Sequence, residues 1–295
     1  MFKMRGVVPP MITPFDSRGE IDADSLARIV RYLSHQVQGL FVCGSYGSGP
    51  MMSVEERMKV AELTKKTAGD KVALVVHTGS TNTRDTVLLS RHAKQIGCAA
   101  VAAVGPYYFS HTEDDLLFFY SDIIECVGSD LPIYVYNNPR FQGYEISLST
   151  MRKLKGIGVR GVKDATFNIL TFASYMRELS GDSFDVVLGT EAMWLPARAL
   201  GCEAFVPGIG NAFPELCVRM WKEGMNGDLE ACRKTQFLIN DIRSLMYLAR
   251  STQLAVYAMV GLRGIANALP RAPFVPATEN EKKALCAGLK ERGVI

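Results

Sequence analysis

The sequence lacks the features that membrane-spanning, secreted and nucleic-acid-binding proteins share. Its longest apolar runs, such as residues 98–104, have the length of a β-strand and are too short for a transmembrane helix. The first ten residues contain no apolar segment of the kind found in secretory signals. The 33 basic and 30 acidic residues are spread along the chain, so the net charge of +3 forms no basic stripe. These absences predict a cytoplasmic protein that binds neither membranes nor nucleic acid.

Metal-binding and disulfide patterns are missing as well. The seven cysteines form no CxxC pair, and their odd number and wide spacing predict reduced thiols. The four histidines form no HxxxH or HExxH pair, so their spacing predicts no zinc site. A triad of serine or cysteine with histidine is not excluded, because its members need not be close in sequence. The glycine-rich segment 44–49 is neither a P-loop nor a dinucleotide fingerprint. We therefore expect neither a metal nor a cofactor.

The composition is that of a globular chain with a large core: of 295 residues, 48% are hydrophobic and 21% are charged. Short apolar runs recur at intervals of about thirty residues, the length of a βα unit. They show little alternation, which is typical of strands covered on both faces in a parallel sheet. The predicted strands are residues 7–12, 39–43, 72–77, 98–104, 131–136, 159–162, 186–188 and 204–206.

Helix-like segments separate these strands. Residues 22–35 carry apolar positions at helical spacing, and Ser53 with Glu56 forms the pattern of a capping box. The predicted helices are residues 22–35, 53–67, 83–95, 112–126, 147–154, 169–179, 193–200 and 214–223. Eight strands that alternate with eight helices predict an α/β fold and favour a closed (β/α)8 barrel. A doubly wound open sheet is the alternative, because periodicity cannot show closure.

The strand signal stops after about residue 227. Residues 228–249, 254–266 and 280–291 have the pattern of three further helices, and prolines interrupt the chain before the last of them. We therefore predict a barrel at residues 1–226 and a C-terminal helical region at residues 227–295.

Lys163 and Tyr136 lie at the ends of neighbouring predicted strands, where function gathers in a parallel barrel. A lysine in a partly desolvated pocket has a lowered pKa and can attack a carbonyl to form a Schiff base. A phenol beside it can relay protons. Taken singly, Lys163 is better interpreted as a solvated lysine paired with Asp164, and Tyr136 as an aromatic residue packed at a strand end. The two residues together favour a catalytic role.

The glycine-rich segment 44–49 gives backbone N–H groups room to approach an anion, next to the helix predicted from Ser53. Ser45 and Tyr46 add hydroxyl donors. The segment predicts a site for a substrate carboxylate, although glycine-rich turns are common and the motif is weak by itself.

These segments resemble the dihydrodipicolinate synthase / N-acetylneuraminate lyase family of Schiff-base aldolases. The most specific matches are the YNxP segment at Tyr136 and the GxK segment at Lys163. The other matching pieces are Gly6, Thr13-Pro14-Phe15, Gly44-Ser45-Tyr46-Gly47, Gly105-Pro106-Tyr107-Tyr108, Gly208, Asn211, Leu262-Arg263-Gly264 and Pro270-Arg271. The resemblance covers nearly the whole chain and implies a (β/α)8 barrel with a C-terminal helical region, usually a homotetramer built as a dimer of dimers.

The resemblance also implies roles for individual residues. Lys163 would form the Schiff base with pyruvate or another 2-oxo acid, and Tyr136 would act as acid and base. The residues implied in substrate binding are Gly44, Ser45 and Tyr46 in the carboxylate loop, Val206 where the family's backbone contacts the pyruvate adduct, Tyr108 where the family lends a tyrosine across a subunit interface, and Arg140 near the aldehyde substrate.

Two departures from the family pattern bear on the chemistry. Tyr46 replaces the threonine that bridges two tyrosines in the family's proton relay, so a larger ring displaces the hydroxyl. The lysine-pathway synthase has an arginine two residues after the YNxP proline, to hold the carboxylate of the aldehyde. Here that position is Phe141, and Arg140 comes one residue earlier. This difference argues against the lysine-pathway reaction.

Other positions separate the branches of the family. Ala165 stands where the sialic acid branch has a threonine, and Thr190-Glu191 stands where that branch has paired acids. Lys163-Asp164 and the sequence PYYF at residues 106–109 are more similar to the 2-keto-3-deoxy sugar acid aldolases.

We therefore expect a homotetrameric Schiff-base lyase that acts on a 2-oxo acid, with 2-keto-3-deoxy sugar acids favoured. It would cleave or form a C–C bond, or eliminate water or ammonia, since all of these follow from an enamine at Lys163. A 4-hydroxy-tetrahydrodipicolinate (dihydrodipicolinate) synthase is the alternative among enzymes. A barrel that binds a small acid without catalysis is the alternative from another class, and Tyr46 and Ser48 favour it.

Overall fold

A computed structural model describes residues 2–295 of the chain. Its centre is a sheet of eight parallel strands, in which each strand from β2 to β7 pairs with the next along the chain. The strands are β1 (Gly6–Val7), β2 (Gly39–Val42), β3 (Ala73–His77), β4 (Ala100–Val104), β5 (Ile133–Asn137), β6 (Gly161–Asp164), β7 (Asp185–Leu188) and β8 (Ala204–Phe205). Their number and order are those that the apolar runs predict.

The sheet closes into a barrel through the first strand. β1 pairs with β8, with Gly6 opposite Ala204. On the other side, the chain just after β1 contacts β2. The Phe41 N–H donates to the Pro9 carbonyl over 3.0 Å, and the Met11 N–H donates to the Phe41 carbonyl over 2.9 Å. The predicted (β/α)8 barrel is therefore confirmed, and the alternative of a doubly wound open sheet is wrong.

The first strand is shorter than the sequence predicts. The apolar run at residues 7–12 predicts a strand, but regular pairing ends after Val7. Pro9 and Pro10 follow, and a proline has no N–H to donate to a neighbouring strand. A single bridge, with Pro10 opposite Phe41, continues the contact with β2.

Twelve α-helices pack around the strands within residues 2–295. They are α1 (Ala23–Ser34), α2 (Val54–Ala68), α3 (Thr83–Gln95), α4 (Glu113–Val127), α5 (Pro139–Gln142), α6 (Leu148–Ile157), α7 (Ile169–Glu178), α8 (Trp194–Ala199), α9 (Pro214–Met225), α10 (Leu229–Leu245), α11 (Thr252–Leu262) and α12 (Glu279–Glu291). The predicted capping box is present at the start of α2, where the Glu56 N–H donates to the Ser53 hydroxyl and the Ser53 N–H donates to the Glu56 carboxylate. Of the helices in this part of the chain, none has the length and apolar character needed to cross a membrane.

The three predicted C-terminal helices are confirmed as α10, α11 and α12, with bounds that differ by a few residues. α10 continues into a 3₁₀ turn at Met246–Ala249. α11 rests on the barrel: the Tyr257 hydroxyl donates to the Thr13 carbonyl over 2.7 Å, and the Gln253 amide donates to the Ser48 hydroxyl over 2.9 Å. The domain boundary at residue 227 stays a prediction, and the packing of α11 crosses it.

The core has two layers that the strands separate. The outer layer lies between strands and helices and includes Ile133 and Val135 of β5. The inner layer fills the barrel and includes Tyr134 and Tyr136 of the same strand. Successive residues of a strand point to opposite faces of the sheet. This alternation directs Tyr136 into the barrel interior, together with Lys163, which stands opposite it on β6.

Candidate active site

Lys163 lies inside the barrel. β6 begins and ends two residues later than predicted, so its end at Asp164 includes Lys163, which stands opposite Tyr136 of β5 in the parallel register. The Lys163 Nζ atom lies 3.3 Å from the centroid of the Tyr136 ring and 5.0 Å from the centroid of the Phe41 ring. The lysine is only 3% exposed. The interpretation of Lys163 as a solvated lysine is therefore wrong.

Asp164, the partner expected for a solvated lysine, is the next residue on the strand and so points to the opposite face of the sheet. Its carboxylate accepts hydrogen bonds from the backbone N–H and the hydroxyl of Thr166, over 3.3 and 3.1 Å. Burial raises the pKa of the Asp164 carboxyl to about 7. Asp164 thus fixes the loop after β6 and does not form an ion pair with the lysine.

The surroundings of Lys163 and Tyr136 shift both groups toward reactivity. Burial lowers the pKa of Lys163 below its usual value, because an ammonium loses hydration in the barrel interior, and this outweighs the opposing influence of the Tyr136 phenol. Burial alone would raise the pKa of Tyr136. The Lys163 charge and the hydrogen bonds from Ser45 and Asn138 together outweigh burial, so the pKa of Tyr136 lies below its usual value. A lysine and a phenol in contact, each with a pKa below its usual value, can form a Schiff base and move its protons.

The hydroxyl beside Tyr136 comes from Ser45. The Ser45 Oγ lies 3.3 Å from the Tyr136 hydroxyl oxygen, and the Asn138 amide donates to the same oxygen over 3.1 Å. From the sequence, the larger ring of Tyr46 is expected to displace the hydroxyl that the family's threonine offers to the tyrosine. The Tyr46 ring lies instead against Gly208, where a Cβ would come within 2.6 Å of the tyrosine hydroxyl. The substitution at Tyr46 therefore leaves a hydroxyl next to Tyr136.

The loop that carries Ser45 is held in a compact turn. The Gly49 N–H donates to the Gly44 carbonyl over 3.0 Å, and the Ser48 N–H donates to the Ser45 carbonyl over 3.1 Å. Ser48 adopts a left-handed backbone with φ of 55°. Besides bonding Ser48, the Gln253 amide of α11 donates to the Tyr46 carbonyl over 3.3 Å. The C-terminal region thus positions the loop at the site.

A cavity of about 280 Å³ opens above Lys163 at the C-terminal ends of the strands. Six of the residues that the sequence assigns to the site line it: Lys163, Tyr136, Ser45, Tyr46, Val206 and Arg140. Two others do not. Gly44 lies behind the wall, where a Cβ would come within 2.7 Å of the Phe41 ring. Tyr108 lies on the β4–α4 loop and is 86% exposed, with a positive φ of 86°.

Sequence reasoning missed an ion pair in the cavity wall. The Arg243 Nη1 lies 3.0 Å from the Glu191 Oε1, and the pair is largely buried. The other Glu191 oxygen accepts a hydrogen bond from the Gly208 N–H over 2.9 Å. Glu191 follows β7, and its position just after a predicted strand is a signal in the sequence. Arg243 lies on α10, outside the predicted barrel, and no local pattern separates it from other helical arginines. Asn138 was also missed, although it belongs to the YNxP segment.

His77 lies beneath Tyr136 and has a packing role. Its Nε2 accepts a hydrogen bond from the Val104 N–H over 3.1 Å, and its Nδ1 lies 3.2 Å from the Cys43 carbonyl oxygen. Burial holds the pKa of His77 well below its usual value. The ring is therefore neutral and packs edge-on against Tyr136, with 5.8 Å between the ring centroids. Across residues 2–295, no group of three acidic, histidine or cysteine side chains is arranged to hold a metal ion.

The first testable prediction concerns the pKa of Tyr136. Ser45→Ala removes a hydrogen bond that favours the phenolate, so the pKa of Tyr136 should rise by the equivalent of about 1 kcal/mol. Lys163→Met removes the adjacent cation and should raise it further. The titration is followed by NMR of protein labelled at tyrosine Cζ, with the Tyr136 signal assigned by its loss in Tyr136→Phe.

Tyr46→Phe is the matched control, because the Tyr46 hydroxyl lies at Gly208. It should leave the Tyr136 titration in place. If Tyr46→Phe shifts the titration and Ser45→Ala does not, Tyr46 is the relay residue after all.

Comparison with known proteins places this geometry in a family. The model of the dihydrodipicolinate synthetase family matches residues 3–292. A 4-hydroxy-tetrahydrodipicolinate synthase of Bartonella quintana (strain Toulouse) is 30% identical over 295 residues, which cover 99% of each chain. The crystal structure of dihydrodipicolinate synthase from Aquifex aeolicus has a TM-score of 0.92 at 26% identity and covers 99% of both chains. The crystal structure of KD(P)GA from T. tenax has a TM-score of 0.89 at 28% identity, covering 98% of this chain and 99% of that one.

These similarities span the barrel and the C-terminal helices together, so they concern the whole architecture and not a shared motif. The family consists of class I aldolases, which disfavours the alternative of a barrel without catalysis. The resemblance drawn from the YNxP and GxK segments is confirmed: this chain belongs to the dihydrodipicolinate synthetase family and is a lyase of the class I aldolase type.

Proposed function

We propose that Lys163 forms a Schiff base with a 2-oxo acid and that Tyr136 moves the protons of the reaction. The observation that carries this proposal is the contact of a buried amine of lowered pKa with a phenol of lowered pKa at the base of the cavity. Ser45 and the loop from Gly44, with Tyr46, hold the carboxylate of the acid. The backbone at Val206 forms the facing wall.

The chemistry follows from these positions. The Lys163 amine attacks the C2 carbonyl, and Tyr136 gives a proton to the carbinolamine hydroxyl, which leaves as water. The resulting iminium withdraws the electrons of the C3–C4 bond when Tyr136 takes the proton of a C4 hydroxyl. An aldehyde leaves, and the enamine takes up a proton at C3 and is hydrolysed to pyruvate and the free amine. In the synthetic direction, C3 of the same enamine attacks the carbonyl of the aldehyde and forms the C3–C4 bond.

We propose a 2-keto-3-deoxy sugar acid as the favoured substrate type. Thr166 and Thr190 offer polar groups to a hydroxylated chain at the cavity wall. Phe141 lies where the lysine-pathway synthase has its arginine, and KD(P)GA from T. tenax is among the similar structures.

A 4-hydroxy-tetrahydrodipicolinate synthase is the second candidate. The relative from Bartonella quintana carries that name. In addition, Arg140 lines the cavity and could supply the cation that Phe141 lacks.

We also propose that the protein is a homotetramer of the cytoplasm. Tyr108 and Phe109 form an edge-to-face pair with 5.0 Å between the ring centroids, yet they are 86% and 69% exposed. An aromatic pair held in this way fits a contact with a second copy of the chain. The cysteines are all free thiols, as suits a reducing compartment.

The nucleophile is tested by borohydride reduction in the presence of pyruvate. Wild-type protein should gain one reduced pyruvate adduct, which peptide mass spectrometry places on Lys163. Lys163→Ala should lose the adduct while its circular dichroism stays unchanged, and Lys234→Ala, an exposed lysine on α10, should keep it. A full yield of adduct in Lys163→Ala would assign the nucleophile to another lysine and overturn the proposal.

Substrate choice is tested by steady-state assays of two substrates side by side. Without an arginine at residue 141, kcat/KM for pyruvate plus aspartate semialdehyde should fall well below about 10⁴ M⁻¹s⁻¹, and a 2-keto-3-deoxy acid should turn over faster. An ordinary value for aspartate semialdehyde would favour the synthase. Arg140→Ala then decides the contact: loss of that activity assigns the aldehyde carboxylate to Arg140, and no change assigns it elsewhere.

Assembly is tested by light scattering at micromolar concentration. The wild-type mass should be that of four chains, or at least two. Tyr108→Ala should shift the distribution toward smaller species and lower kcat, because it removes the exposed ring that would contact a second copy of the chain. A monomeric mass for the wild-type protein would contradict the proposal.

A further inference from the structure

The outer part of the cavity carries more positive charge than its own residues balance. Arg140, Arg243 and Glu191 are the charged side chains there, and they sum to +1. Lys163, at the base, becomes a cationic iminium in the proposed reaction and is balanced by the carboxylate next to the 2-oxo group. The net charge of +1 in the outer part of the cavity has no counter-charge among the residues that line the cavity. A substrate with one carboxylate would leave this charge unbalanced.

Both guanidinium groups are available to a ligand. Within residues 2–295, no carboxylate lies within 4.0 Å of the Arg140 guanidinium. The hydrogen bonds of this part of the chain engage one Arg243 nitrogen, Nη1, which donates to Glu191. The remaining N–H donors of Arg243 have no protein acceptor, and the side chain is 16% exposed where it lines the cavity.

Arg243 is also held in one orientation. Glu191 receives Arg243 on one oxygen and the Gly208 N–H on the other, so both of its oxygens are occupied. The centre of the guanidinium lies 5.2 Å from the centroid of the Phe167 ring, a cation–π contact that adds to the hold of Glu191. A guanidinium fixed in this way presents a planar pair of donors, which matches the two oxygens of a carboxylate.

We propose that Arg243, oriented by Glu191, binds a second carboxylate at the far end of the substrate. The substrate class would then be a 2-oxo acid with a terminal carboxylate, such as a six-carbon 2-oxo dicarboxylic acid with or without hydroxyl groups. This assignment rests on the proposed function and narrows it. A terminal phosphate is disfavoured, because its charge of nearly −2 exceeds the +1 available.

The test compares two acids that differ only at the far end. 2-Oxoadipate and 2-oxohexanoate have the same six-carbon chain, which ends in a carboxylate in the first and in a methyl group in the second. Each is titrated against wild-type protein under borohydride, and the half-saturating concentration for adduct formation is read by mass spectrometry. 2-Oxoadipate should reach half-saturation at a concentration about 30-fold lower, the effect of a hydrogen-bonded charge pair.

The Arg243 variants localise the effect. Arg243→Gln should reduce the preference to within about threefold, because it raises the half-saturating concentration of 2-oxoadipate more than that of pyruvate, and Arg243→Lys should retain an intermediate preference. Because Arg243→Gln leaves Glu191 unpaired, the double variant Glu191→Gln, Arg243→Gln repeats the measurement without a buried charge. Arg233→Gln, an exposed arginine on the same helix, is the control and should behave as wild type.

The outcomes separate the two proposals. If pyruvate gives no adduct with wild-type protein, the Schiff-base function fails and this assignment fails with it. If pyruvate is trapped but the two six-carbon acids saturate alike, the assignment to a terminal carboxylate is overturned and the proposed function stands. A preference that survives Arg243→Gln and disappears in Arg140→Gln overturns the role of Arg243. An equal loss for pyruvate and 2-oxoadipate shows a structural role only.

Discussion

The burial of a single amine inside the barrel is the constraint on which the site depends. Around the Lys163 Nζ the structure places the ring faces of Tyr136 and Phe41. Ring faces attract a cation more weakly than a carboxylate does, so they do not repay the loss of hydration. The amine is therefore biased toward its uncharged, nucleophilic form. The parallel register of β5 and β6 enforces this contact, because it sets the lysine and the tyrosine side by side on the inner face.

Contacts from the loops and the C-terminal helices hold the residues around Lys163 in place. The hydroxyl of Ser45 reaches Tyr136 because a compact turn holds the loop between β2 and α2. Gln253 of α11 donates a hydrogen bond to Ser48 in this turn, and Tyr257 of the same helix donates one to the Thr13 carbonyl after β1. The C-terminal helices are thus part of the support of the site and not an attachment to a finished barrel. Stability and catalytic geometry share these contacts.

Charge is distributed along the cavity in two steps. At the base, the Lys163 amine is buried among aromatic rings, where it meets the 2-oxo acid in the proposed reaction. Farther out, Glu191 binds one nitrogen of the Arg243 guanidinium, and within residues 2–295 no carboxylate lies within 4.0 Å of the Arg140 guanidinium. Such an arrangement separates two tasks within one pocket. The inner part controls the reactivity of the amine, and in our proposal the outer part binds the far end of the substrate.

The sequence by itself determined the elements and the chemical types at the site. Apolar runs at βα spacing established eight strands and eight helices, because strands buried on both faces need such runs. The YNxP and GxK segments identified Tyr136, Lys163 and the family. Proline at residues 9 and 10 shows where a hydrophobic pattern overstates a strand, since pairing also requires N–H donors.

Tertiary structure alone decided closure of the sheet, the choice of Ser45 over Tyr46 beside the phenol, and the ion pair of Glu191 with Arg243. Closure depends on hydrogen bonds between residues some thirty to two hundred positions apart, which periodicity does not encode. Ser45 and Tyr46 are adjacent in sequence, and only the turn that holds them determines which hydroxyl faces the amine. Arg243 is one arginine among several on the outer helices until α10 packs on the barrel. The physical reason is common to all three: contact between distant segments is fixed by packing and not by local preference.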